Sequence, residues 1–131
     1  MILAYGALVP ACLEAARILQ SEGIEVGVVN ARFLKPLDTE TVLRAVRDCE
    51  FVITVEEAAL MGGFGSAVLE AAADAGIDAS HVRRLGIPDQ FIEHGERGEL
   101  LADLGVDPSG IAAVCRNMAK SATERTRLPV K

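Results

Sequence analysis

The sequence predicts an α/β domain, a three-layer α/β/α sandwich around a mainly parallel sheet of four strands. Three observations carry this reading. Short runs of Ile, Val and Leu alternate with longer stretches whose apolar residues recur every three or four positions. Short loops separate them, and such alternation means parallel strands joined by right-handed crossovers. Half of the 131 residues are hydrophobic, with no Trp, one Tyr and four Phe. The apolar volume is therefore aliphatic, which suits strands covered by helices on both faces.

Ile2-Leu3-Ala4-Tyr5 is an apolar run ended by Gly6 and reads as a buried strand. Pro10 stands where a first helical turn tolerates it, and Val9, Cys12, Leu13, Ala16 and Leu19 give one apolar helix face that Gly23 closes. Val26 to Asn30 is the second strand, and Asp38 caps a helix carrying Val42, Leu43 and Val46. Phe51 to Val55 is the third strand and runs directly into Glu56-Glu57. Phe64, Ala67, Val68, Ala71, Ala72 and Ala75 mark the next helix, closed by Gly76. A weaker strand covers His81 to Leu85, and Glu99 to Leu104 suits a short helix. Asp107-Pro108, an N-cap followed by Pro at the first position, starts a last helix with Ile111, Val114, Cys115 and Met118. Residues 1–119 thus form one domain, and the polar stretch 120–131 is predicted to fray.

A net charge of -6 argues against nucleic acid and anionic membrane surfaces, both of which demand basic surface. Cys12, Cys49 and Cys115 lie far apart among apolar neighbours, so they read as small core side chains in a reducing cytosol. No Cys/His cluster has metal-ligand spacing. No apolar run reaches transmembrane length and no signal pattern opens the chain, so a cytoplasmic protein is expected.

In open parallel sheets, chemistry gathers at the carboxyl ends of the strands. The richest stretch there is Glu56-Glu57 followed by Gly62-Gly63-Phe64-Gly65-Ser66. Glycines before a helix expose backbone N–H groups and the positive end of the helix dipole, which favours an anion. The two upstream carboxylates oppose that role, and the spacing is neither a Walker loop nor a dinucleotide fingerprint. Close packing of helix on sheet, or on a neighbouring domain, is the simpler reading of Gly62, Gly63 and Gly65. The carboxylates are then free to accept hydrogen bonds from the helix start or from another domain. As neighbours on a strand end they point in opposite directions, a poor acid/base dyad. The second candidate is Asp89 to His94, where a histidine sits in a Gly-bounded loop without a matching Ser or Cys nucleophile. Arg83-Arg84 and Arg32 with Lys35 read as solvated or interdomain charges, and His81 shows nothing specific.

Five ordered blocks together carry a resemblance. They are Ile2-Leu3-Ala4-Tyr5-Gly6, Val29-Asn30-Ala31-Arg32-Phe33-Leu34-Lys35-Pro36-Leu37-Asp38, Val55-Glu56-Glu57, Gly62 to Glu70, and Gly86-Ile87-Pro88-Asp89-Gln90-Phe91-Ile92-Glu93-His94-Gly95. In this order they resemble the C-terminal domain of the 1-deoxy-D-xylulose-5-phosphate synthases, in the transketolase superfamily. The resemblance implies a complete enzyme that condenses pyruvate with glyceraldehyde 3-phosphate, losing carbon dioxide, for isoprenoid, thiamine and pyridoxal synthesis. It implies thiamine diphosphate and magnesium bound between the two preceding domains, by a Gly-Asp-Gly motif that this sequence lacks. It therefore assigns no catalytic, cofactor-binding or metal-binding residue here, and no cofactor to this chain alone.

The implied partners are the N-terminal and central domains of the same enzyme and a second subunit in a homodimer. Glu56, Glu57, Gly62, Gly63, Gly65, Asp89 and His94 are the expected interdomain or interface residues. Replacing Glu56, Glu57 or His94 by Ala is expected to weaken assembly while leaving the melting temperature nearly unchanged. Two alternatives stay open: a stand-alone interaction or anion-binding module with Gly62 to Gly65 as its site, and the matching domain of a 2-oxo-acid dehydrogenase β subunit. The resemblance also implies an antiparallel first strand upstream of Ile2. The chain is thus expected to be part of a longer protein, with Val26 to Asn30 left as an open sheet edge.

Overall fold

The computed structural model describes residues 1–127, with side chains through residue 123. Strands β1 (Ile2–Ala4), β2 (Val28–Asn30), β3 (Val52–Ala59) and β4 (Val82–Ile87) form one sheet in the order β2-β1-β3-β4, every neighbouring pair parallel. Helices α1 (Val9–Ser21), α2 (Thr39–Asp48) and α3 (Phe64–Asp74) link successive strands, and α4 (Arg97–Asp103) and α5 (Pro108–Arg127) follow β4. A 3-10 turn, Gly6–Leu8, leads from β1 into α1.

The two-residue alternation of the strands sorts side chains into two cores. Ile2, Ala4, Ile53 and Val55 pack with Cys12 and Leu19 of α1 and with Ile111 and Cys115 of α5. Leu3 and Val52 face the other way, onto Val42 and Val46 of α2 and Phe64 and Val68 of α3. The sheet is therefore covered on both faces, and each buried Leu, Ile or Val contributes about 1.5–3 kcal/mol of burial. Predicted caps are in place: the Asp38 carboxylate accepts the Thr41 amide at 3.1 Å, and that of Asp107 accepts the Gly110 amide at 2.9 Å.

Several boundaries differ from those the sequence suggests. β3 does not end at Val55 but continues through both glutamates to Ala59. It can do so because β4 also runs on to Ile87, and a register shift past Val55 re-pairs Ala59 with Ile87. β2 starts only at Val28. α5 passes Lys120 and reaches Arg127. The Ser121 and Thr123 hydroxyls donate to the carbonyls of Asn117 and Ala119, and Ala122 is buried. Residues 128–131 of the expected tail lie outside the described residues.

Cys12 and Cys115 are buried, Cys49 is half-buried, and all three are free. Burial pushes the Cys12 thiol up to about 12 and the Cys115 thiol to about 11, which suppresses the reactive thiolate. No helix among the described residues is long and apolar enough to cross a membrane.

Candidate functional site

Connections from β1 run toward β2, while those from β3 run toward β4. The carboxyl ends of β1 and β3 thus flank the switch point at which such sheets hold ligands. This chain fills the place with its own side chains. Tyr5, directly after β1, stacks on Phe64 at the start of α3, with ring centroids 5.4 Å apart and planes 16° apart. Glu56, in the extension of β3, is 0 % exposed.

The Glu56 carboxylate accepts the Phe64 amide at 2.6 Å and the Gly65 amide at 2.8 Å. Those are two of the four N–H groups that a helix start leaves without partners, and the charge also meets the positive end of the helix dipole. The sequence places the acceptor eight residues before the helix, so it reaches the amides only because β3 ends in a loop that doubles back. A Cβ at Gly63 would collide with this carboxylate and with the Ala59 carbonyl. At Gly65 a Cβ would stand 2.9 Å from Arg84 and would strike the Thr54 hydroxyl. These two glycines allow close packing, the simpler of the sequence readings. The anion alternative is corrected: the chain's own carboxylate already occupies the helix start. Glu56 is likewise not a surface contact, because β3 continues past Val55 and strand alternation sets Glu56 on the same face as Val52 and Thr54, under α3.

Two residues the sequence reading passed over complete the arrangement. The Ser66 hydroxyl donates to the Leu60 carbonyl at 2.7 Å and accepts the Gly62 amide at 3.2 Å. Arg84, on β4, donates to the same carbonyl at 2.7 Å and to the Ser66 oxygen at 2.9 Å. Loop 60–63 is therefore clamped from both sides, and Arg84 is an internal tie rather than a solvated charge. No motif signals this, since it depends on β4 lying beside β3. Thr54 lies beneath Gly65, fully buried, and its hydroxyl has no hydrogen-bond partner.

Glu57 points opposite to Glu56, as strand alternation requires, and meets Arg97 of α4 in a two-pronged pair at 2.8 and 2.5 Å. The hydrogen bond from Arg97 holds the Glu57 carboxyl below its ordinary 4.5. The pair is thus intact above that pH and is lost as pH falls through the lowered value. Being exposed, it positions α4 more than it stabilises the fold. Asp89 and His94 lie exposed on the loop after β4, and His94 lines a cleft of about 400 Å³ with Phe91 and Leu100. His81, which showed nothing specific in sequence, has Nε2 2.8 Å from the Val46 carbonyl and ties β4 to α2.

The described residues do not fit thiamine diphosphate with magnesium. The helix start that suits a diphosphate holds Glu56. No three His, Cys, Asp or Glu side chains converge among the described residues.

Fold and site together define a parallel α/β sandwich whose switch-point crevice is closed by an internal carboxylate and an aromatic stack. The chain belongs to the transketolase C-terminal domain family, whose model matches residues 1–111. Its relatives narrow this to the C-terminal part of 1-deoxy-D-xylulose-5-phosphate synthases. It is 56% identical over 112 residues to synthase 1 of Geobacter sulfurreducens, covering 86% of this chain and 18% of the relative. It is 54% identical to the synthase of a Synechococcus strain over 86% of the chain and 17% of the relative. The Heliobacterium modesticaldum synthase matches 99% of the chain at 44% identity, over 20% of its own length. The chain therefore spans about a fifth of these relatives. Among solved structures, a split-gene transketolase described as an inactive β4 tetramer superposes with TM-score 0.76 at 32% identity, over 91% of this chain and 37% of that one.

Proposed function

We propose that this chain is the non-catalytic C-terminal assembly domain of a 1-deoxy-D-xylulose-5-phosphate synthase. In the complete enzyme, pyruvate and glyceraldehyde 3-phosphate are condensed with loss of carbon dioxide. Thiamine diphosphate and magnesium are held there by the preceding domains, in a cytoplasmic homodimer. One observation carries the reading: 56% identity over 86% of this chain, confined to 18% of the synthase it matches. The closed crevice supports a bracing role, since the switch point of the sheet holds the chain's own carboxylate. The three relatives above are all synthases, and the dehydrogenase β-subunit alternative has no counterpart among them. Glu57, with Asp89 and His94, stands at the carboxyl end of the sheet as a contact to the rest of the assembled enzyme.

Two measurements test this. Calorimetric titration of the chain with thiamine diphosphate and magnesium should show no binding, and micromolar heat would refute the reading. Exchanging residues 1–119 for the matching C-terminal part of the Geobacter synthase should give an active chimera, whereas a folded but inactive one would count against it.

A further inference from the structure

We infer that residues 88–104 form a strap that opens from the domain as one unit while the sheet stays folded, with the Glu57–Arg97 pair as its latch. Both ends of the strap are fixed. At one end Ile87 closes β4, and its carbonyl accepts the Leu60 amide at 2.8 Å. At the other, Val106 is buried in the core. Between them no residue is buried. Helices α1, α2 and α3 each bury at least three side chains, whereas α4 buries none. Its seven residues are too few to hold a helix in water on their own, so α4 depends on what it touches.

It touches little. Leu101 and Leu104 rest half-buried at the rim of the core. A cleft of about 550 Å³ lies between the start of α1 and α4, lined by Leu8, Pro10 and Ala11 and by Gly98 and Leu101. On the other side, the cleft of about 400 Å³ lies between α4 and loop 88–96. Close-packed joints leave no such space, and atoms that face a gap forgo their dispersion contacts. No side chain caps the start of α4 at Glu96. What remains is Arg97, which reaches from the first turn across to Glu57 on β3. Its side chain is 59% exposed, so the pair holds α4 weakly and water can replace it. Far less free energy therefore keeps the strap shut than holds the core, and local opening precedes global unfolding. Opening carries Asp89 and His94 away with the strap, so Glu57 sets how long their loop keeps its pose. Every group involved belongs to this chain, and the strap does not depend on the synthase reading.

Native-state hydrogen exchange over a series of urea concentrations reads the opening. The Leu100 and Leu104 amides donate to the Glu96 and Leu100 carbonyls at 3.0 Å each. They should share one protection factor, roughly a hundredfold or more below that of Ile53. They should also share one urea slope, above zero and below that of Ile53. Arg97→Ala and Glu57→Ala should each lower α4 protection about two- to fivefold, the range of an exposed pair, and leave Ile53 and the melting temperature unchanged. The double variant should open no further than either single one, because the latch is already gone. Equal protection of α4 and Ile53 overturns the inference, since the strap then opens only with the whole domain. So do unlike protection factors for Leu100 and Leu104, which mean fraying rather than opening as a unit. Arg97→Ala without effect on α4, or single effects that add in the double variant, overturns it as well.

Discussion

Replacing Glu56 by Ala removes both acceptors from the start of α3 and leaves the Phe64 and Gly65 amides without partners inside the fold. An unsatisfied buried donor costs about 1–3 kcal/mol, so two of them set a ceiling of about 6 kcal/mol. The lost methylenes leave a void that adds about 1 kcal/mol. Two effects oppose these. The carboxylate was itself expensive to bury, by several kcal/mol, and that cost disappears with it. A water entering the void can also satisfy one amide. The amides prevail because neither can leave the core without unwinding α3, and the expected net loss is about 3 kcal/mol. For a domain of this size that corresponds to a melting temperature lower by roughly 10 °C. Glu56→Gln keeps one carbonyl acceptor and turns an N–H toward the second amide, so it should lose less than Ala, about 1–2 kcal/mol. Urea unfolding followed by circular dichroism measures both. A loss below about 1 kcal/mol for Ala, or a Gln variant no better than Ala, would refute the capping account.

Thr54→Val exchanges an unpartnered buried hydroxyl for a methyl of the same shape, and the same urea assay should show stabilisation by about 1 kcal/mol. Destabilisation would mean that the hydroxyl has a partner. At the open sheet edge, β2 pairs only with β1 among the described residues, and the Ile2 and Ala31 amides fix Gly27, Val29 and Ala31 toward that partner. The amides of Val26, Val28 and Asn30 then face outward, and hydrogen exchange should find them at least tenfold less protected than that of Ile53. Equal protection in a monomeric sample would show that something covers this edge.

Sequence pattern by itself determined the layers and the caps at Asp38 and Asp107. The reason is that these follow from local rules: alternation decides which face a strand residue takes, and a cap bonds to amides three residues away. The closeness of Gly63 and Gly65 to the sheet was legible for the same kind of reason. Tertiary structure decided the rest. Adjacent glutamates look equivalent in sequence, yet β3 runs on through both, so that Glu56 is buried under α3 and Glu57 turns out to Arg97, 40 residues away. Arg84 reads as a surface charge until β4 lies against β3 and brings its guanidinium to the Leu60 carbonyl. Lys120 reads as the start of a tail until α5 runs past it and buries Ala122 against the fold. In each case the deciding partner is remote in the chain or depends on a neighbour already placed. A side chain's role is set by the free energy of its surroundings, which periodicity does not encode and packing does.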